Sequence, residues 1–168
     1  MLALTLNRLP SPIGAMLLLS DEKQHLRALD WEDHEPRLRT LLRRQYGEAI
    51  RIVETRNASP ACQAMAAYFA GDLKAIDAIE VETGGTDFQK KVWRALRKIP
   101  AGSTSSYGEL AVRIGRPSAI RATGAANGAN PISIVVPCHR LVGSDGKLVK
   151  YGGGLHRKDW LLRHEGAC

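Results

Sequence analysis

The residues Val136-Pro137-Cys138-His139-Arg140-Leu141-Val142 set a thiol, an imidazole and a guanidinium side by side behind an apolar run. The thiolate is the nucleophilic form of cysteine, and a free thiol has a pKa near ~8.5. His139 and Arg140 carry groups that could stabilise the anion. In an extended strand, neighbouring side chains point to opposite faces. Either the backbone turns at Cys138, therefore, or His139 reaches it through a water. The same residues also suit an inert core thiol behind a buried strand. Zinc fits poorly, because Cys138, His139, His164 and Cys168 lack the closely paired ligands of structural sites.

Two downstream features could complete a site. Tyr151-Gly152-Gly153-Gly154 suits either a close backbone approach to a ligand or a plain linker. Glu165 follows a helix expected over 157–164, which contains Trp160, Leu161 and Leu162. A carboxylate at that end opposes the helix dipole and needs a partner, for which a histidine would serve.

The elements that must hold these groups are legible around them. Residues 132–136 are apolar and mostly β-branched, and are expected to form a buried strand ending at the cysteine. Upstream, Thr86 is expected to cap a helix containing Phe88, Val92, Trp93 and Leu96. Ser106 is expected to cap a second helix over 107–114. Gly115-Arg116-Pro117 breaks the chain, and Ser118 is expected to cap a third helix running to about Asn127. A helix, a short Gly-containing turn and a helix outline either a helix-turn-helix or an ordinary helical hairpin. The third helix is small almost throughout, with the single long cation Arg121. It lacks the several Arg, Asn or Gln side chains of a major-groove reader. It suits shape-driven contact, with a minor-groove approach, or alanine packing against another helix.

The first half reads differently. Short apolar runs near residues 3–6, 16–19 and 25–31 are expected strands. Residues 35–46 show helical spacing of Leu38, Leu41, Leu42 and Tyr46. Residues 50–53 suit a further strand. Ser59-Pro60 is an N-cap followed by proline at the first helical position, and that helix should stop at Gly71. Residues 73–85 read as a linker.

Charge divides the chain at the same place. Residues 1–83 hold 10 Lys/Arg against 12 Asp/Glu, whereas residues 84–168 hold 14 against 5, so the net +7 belongs to the second half. A basic half suits a polyanion. The expected organisation is an N-terminal domain with its linker over 1–83 and a C-terminal domain over 84–168. Three cysteines argue against a disulfide framework. No apolar run reaches the roughly 18 residues of a membrane span. The first residues lack the features of a signal peptide, so a cytoplasmic address is expected.

The stretch 136–142 resembles the active-site signature of the O6-alkylguanine-DNA alkyltransferases, also called methylated-DNA–protein-cysteine methyltransferases. Tyr107, Arg121, Asn130, Cys138, residues 151–154 and Glu165 all fall at that family's spacing. The resemblance covers about residues 84–166, and the whole chain is most similar to the bacterial constitutive form. It implies an α+β protein, with an N-terminal mixed α/β, ribonuclease H-like domain. A mostly helical, winged helix-turn-helix-like domain would follow and carry the cysteine.

The resemblance also implies roles. Cys138 accepts an alkyl group from O6-alkylguanine, or O4-alkylthymine, in double-stranded DNA. His139 takes its proton through a water, and Glu165 orients His139. Arg121 fills the gap left by the flipped nucleotide, and Tyr107 aids flipping and donates a proton toward the leaving guanine. Ser118, Ala119, Ala122 and Gly124 belong to the DNA-contacting helix. Asn130 braces the turn before the site. Asn127, Arg140, Tyr151 and Gly152 belong to the pocket and its support. The thioether product has no easy hydrolytic exit, so each molecule acts once. No metal or other cofactor is implied, and a monomer is expected.

Some positions depart from relatives. Asn127 stands where some have a larger apolar residue, and Gly152 where some have Ser, which points to a roomier pocket. No cysteine precedes Cys62, so the zinc carried by some relatives is expected to be absent. Three other readings compete: a non-catalytic relative that binds alkylated DNA, a helix-turn-helix regulator with an incidental cysteine, and a thiol hydrolase using Cys138 and His139.

Overall fold

The computed structural model describes residues 1–168, which form two compact units, Met1–Gly85 and Thr86–Cys168. The first unit is built on a four-stranded sheet of order β3-β2-β1-β4. Its strands are β1 (Leu2–Leu9), β2 (Met16–Ser20), β3 (Leu26–Trp31) and β4 (Ile50–Glu54). The β1, β2 and β3 strands form an antiparallel meander, and β4 returns parallel to β1. Helix α1 (Glu35–Tyr46) makes that crossover and packs Leu38 and Leu42 against Leu4, Leu6, Leu17 and Leu19, with Leu41 buried as well. Every residue of β2 is buried, so the central strand is apolar on both faces.

Helix α2 (Pro60–Phe69) starts where Ser59 accepts the Cys62 N–H, with proline in the first turn. Residues 73–85 are not a free linker. Ile76 and Ile79 are buried, a 3-10 turn spans Ala75–Ala78, and Val81 bridges to Leu26. The polar and glycine-rich ends of this stretch hide two isoleucines that need a core.

The second unit has four helices: α3 (Asp87–Leu96), α4 (Tyr107–Arg113), α5 (Ile120–Gly128) and α6 (Leu155–His164). Both Thr86 and Ser106 make reciprocal capping boxes, with Gln89 and Glu109. The α3 helix buries Val92, Trp93 and Leu96, and the Trp93 indole donates to the Ala126 carbonyl at 2.8 Å, which fixes α5 against α3. A short parallel pair joins β5 (Ser105–Ser106) to β6 (Leu141–Val142). All three cysteines are free.

Two sequence expectations fail here. Ser118 does not cap α5. The Ala119 N–H bonds the Arg116 carbonyl at 2.9 Å, so the chain makes another turn, and the helix starts at Ile120 with no side-chain cap. Residues 132–136 are buried but are not a strand. Val136 N–H returns to the Ile132 carbonyl, and Cys138 N–H to the Val136 carbonyl. The run is a set of tight turns in which Ile134 takes φ +69°. A β-branched residue there stores about 1–3 kcal/mol, which the surroundings must over-determine.

Candidate active site

Asn130 supplies much of that determination. Its side-chain carbonyl accepts the Ile132 N–H at 2.9 Å and its amide donates to the Val136 carbonyl at 2.8 Å. Asn130 is 1% exposed, so neither bond is shared with solvent. The polar backbone of an apolar loop is thus satisfied by one side chain instead of by a neighbouring strand. The loop delivers Cys138 into a 3-10 turn over Cys138–Arg140. The backbone therefore turns at the cysteine. All three side chains of the turn are buried.

Glu165 caps the C-terminal end of α6 and reaches into this turn. One carboxylate oxygen lies 2.9 Å from Nε2 of His139. Arg140 grips both oxygens, Nε to one at 2.9 Å and Nη2 to the other at 3.0 Å, and its Nη1 donates to the Ile99 carbonyl. Burial alone would raise the Glu165 carboxyl, but its bonds to His139 and Arg140 outweigh that and hold it well below the usual carboxylate range. Glu165 is therefore an anion whose charge is balanced by Arg140.

Burial pushes the His139 imidazole below its ordinary value, more than Glu165 raises it. A neutral imidazole beside a carboxylate donates from Nε2, which leaves Nδ1 as the acceptor. Nδ1 is buried and has no hydrogen-bond partner. The site thus holds a bare base nitrogen one residue from the thiol.

Tyr107, at the start of α4, is half-buried. Burial, then the negative charge of Cys138, raises its phenol, so it keeps its proton. A Cβ on Gly124 would lie 3.6 Å from the Tyr107 ring, so α5 and Tyr107 pack face to face there. Asn127 is buried with its side-chain carbonyl unpartnered. The Tyr151 ring stands edge-on to His139, with centroids 6.4 Å apart. Gly152 is exposed beside it, and Gly153 is buried. On α5, Arg121 and Ala122 are exposed, as is Ser118 before the helix, while Ala119 is half-buried.

The structure therefore gathers Cys138, His139, Arg140, Glu165, Tyr107 and Tyr151. It leaves Ser118, Arg121 and Ala122 on the outer face of the helix pair. Arg140 is not free to face the thiolate, because Glu165 and Ile99 hold its guanidinium. Cys138, His139, His164 and Cys168 do not gather as a ligand cluster, and His164 stacks on Trp160 at 4.7 Å.

Sequence reasoning missed Lys158. Its side chain is 0% exposed, and Nζ donates to the carbonyls of Val149 at 2.9 Å and Lys150 at 3.3 Å. The signal was present: Lys158, Leu161, Leu162 and Glu165 fall on one helical stripe, and two of the four are charged. Neighbouring Arg157 is also buried and donates to the Gly153 carbonyl.

Fold and site together define an α+β protein whose helical unit carries a buried cysteine with a histidine and glutamate behind it. A family model described as the 6-O-methylguanine DNA methyltransferase DNA-binding domain matches residues 87–167, and one for that protein's ribonuclease-like domain matches residues 7–83. The chain belongs to the methylated-DNA–protein-cysteine methyltransferase family. It is 50% identical to the Salmonella typhimurium member, over 99% of this chain and 98% of that one. A Methanosarcina acetivorans member is 43% identical, over 94% and 96%. The crystal structure of Mycobacterium tuberculosis OGT in complex with DNA superposes with TM-score 0.77 at 38% identity, covering 98% of this chain and 93% of that one. No helix is long and apolar enough to cross a membrane.

Proposed function

We propose that the protein repairs duplex DNA by direct reversal, moving the alkyl group of O6-alkylguanine, or of O4-alkylthymine, onto Cys138. The observation that carries this reading is the unpartnered Nδ1 of His139, whose Nε2 is held by Glu165. Nucleophile, base and orienting carboxylate then stand in order.

The alkyl carbon lies inside the base stack, so the nucleotide must be flipped out at a cost of a few kcal/mol. Arg121, with Ser118, Ala119, Ala122 and Gly124 around it, enters the duplex and fills the gap. The small side chains let α5 approach the minor groove closely. Tyr151, Gly152 and Asn127 wall the base pocket, and Asn130 holds the loop that aims the sulfur.

The thiol proton passes through a water to Nδ1 of His139. The sulfur lone pair forms an S–C bond as the C–O6 bond breaks, and that electron pair leaves with the purine. Tyr107 donates toward the purine and is reprotonated at the expense of the proton held by His139. The sum is thiol plus O6-alkylguanine giving thioether plus guanine. A thioether is not readily hydrolysed, so the protein is consumed. The protein acts in the cytoplasm as a monomer, which light scattering would check.

Incubation with duplex DNA bearing labelled O6-methylguanine, followed by peptide mapping, tests the reading. Label on Cys138, limited to one equivalent per chain, is expected. Label elsewhere, or many lesions cleared per molecule, would reject it.

A further inference from the structure

Ile120 opens α5, directly before Arg121, and is 49% exposed. Its covered half lies over α4, where a Cβ on Gly108 would meet Ile120 Cδ1 at 3.9 Å. Val112 follows Gly108 by one turn of α4, on the same stripe, and is 63% exposed. An isoleucine and a valine thus make an apolar strip on the outer face of the helix pair. Single exposed apolar residues are ordinary, whereas grouped ones rimmed by polar residues mark contact surfaces.

The charges around this strip are of one sign. Arg113, Arg116 and Arg121 are exposed, and none forms an ion pair. Residues 110–144 contain no Asp or Glu. The one carboxylate of α4, Glu109, turns back to accept the Ser106 N–H. A second copy of this chain would therefore set cations against cations. The complementary surface is the minor groove of a duplex, about 6 Å wide, with apolar deoxyribose edges between two rails of phosphate. Proteins that bind there insert isoleucine, among other apolar wedges, between base steps and partly unstack them.

We propose that Ile120 is an apolar wedge that seats against the deoxyribose edge of the base step entered by Arg121 and helps to pry that step open. Arg121 brings charge and fills the gap. Ile120 adds contact that salt does not screen. Successive residues of a helix stand about 100° apart, so the two side chains diverge and engage the step at separate points. This inference rests on the reading that α5 enters the duplex.

A duplex carrying 2-aminopurine opposite cytosine at the target position provides the test. That pair opens readily, the base fluoresces when unstacked, and it has no alkyl group to transfer. Titrating the natural chain and Ile120→Ala at several salt concentrations gives affinity, salt dependence and the fluorescence at saturation. Ile120→Ala should bind about 3–10-fold more weakly, the scale of losing part of a buried isoleucine. Its fluorescence at saturation should fall. The slope of log affinity against log salt should stay the same, because no phosphate contact is lost. Ile120→Leu, which keeps an apolar wedge, should retain both affinity and fluorescence. The position is half-exposed and alanine favours helix, so the alanine variant keeps its fold.

Unchanged affinity and fluorescence in Ile120→Ala overturn the proposal, as does a loss that comes with a shallower salt slope. Sedimentation without DNA checks the other occupant: a dimer of the natural chain that Ile120→Ala dissociates gives the strip to a second copy and also overturns it. The two readings remain distinguishable. If the natural chain does not bind the duplex, the reading of α5 falls and the wedge with it. If it binds and Ile120→Ala binds alike, only the wedge falls.

Discussion

The Glu165 carboxylate lies 2.9 Å from Nε2 of His139, and Arg140 holds the same carboxylate by two further bonds. One buried anion thus sets the tautomer of the base and neutralises a buried cation. Glu165 comes from the end of α6 and the other two from the turn after the cysteine, so the contact also closes the helical unit on itself.

Glu165→Gln removes the charge but keeps the shape. The amide cannot balance Arg140 and can present its NH₂ to His139, turning the base nitrogen to the wrong side. Single-turnover transfer should slow by about 10²–10⁴-fold, the usual worth of a positioned general base. Stability should fall by about 3–5 kcal/mol, because a buried cation loses its partner. Quench-flow on labelled DNA and urea unfolding measure the two.

Stability should fall toward acid in two steps. The unfolded chain protonates histidine near its ordinary 6.5, whereas buried His139 resists, so the unfolded state binds more protons and stability drops as pH falls through that value. Glu165, held low when folded, stabilises the fold at pH above its ordinary 4.5, and that contribution is lost as pH falls further. On the alkaline side Lys158 releases its proton near 8 when folded but only near 10.5 when unfolded, so stability rises across that window. Urea midpoints against pH should show all three limbs, and His139→Gln should lack the one near 6.5.

Asn130→Ala leaves the Ile132 N–H and the Val136 carbonyl buried without their partner. Each costs about 1–3 kcal/mol. Ile134 is held at positive φ in the same loop, so the loop should also relax and carry Cys138 with it. Urea unfolding reads the stability. Transfer should slow even at temperatures where the variant remains fully folded by circular dichroism.

Arg121→Ala should weaken repair of duplex DNA far more than reaction with the free base O6-methylguanine, since only the duplex has a gap to fill. Arg121 is exposed and touches nothing that holds the fold, so the melting temperature should stay within about 0.5 kcal/mol equivalent of the natural chain. Equal loss on both substrates would refute a flipping role.

With Asn127 and Gly152 in the wall of the base pocket, as proposed above, that wall is small. Rates for ethyl and benzyl adducts should therefore fall less steeply from the methyl rate than after Gly152→Ser, which adds a side chain to the wall. A Gly152→Ser series with the same slope as the natural chain would remove the pocket-size reading.

Much of this was legible in the residues themselves. Caps at Ser59, Thr86 and Ser106, the helical spacing of α1 and the turn at Gly115 are local signals, because capping and amphipathic faces depend on neighbours within one or two turns. The cysteine, the histidine beside it and the distant Glu165 were legible as types and spacing. The turns over 132–136 were not, because β-branched residues favour a strand locally. Only the Asn130 side chain, satisfying the loop's own backbone, lets them bury as turns. The α5 start shifted past Ser118 for a similar reason, since a backbone bond to Arg116 extended the turn.

Sequence alone determined which chemical groups the chain carries, where Ser59, Thr86 and Ser106 cap helices and which half is basic. Tertiary structure alone decided which charge answers which. It gave Arg140 to Glu165 instead of to the sulfur, kept His139 neutral, and buried Lys158 against the Val149 and Lys150 carbonyls. The reason is that a charge in water is indifferent to its distant neighbours. Once buried, it must be met by whatever the packing brings against it.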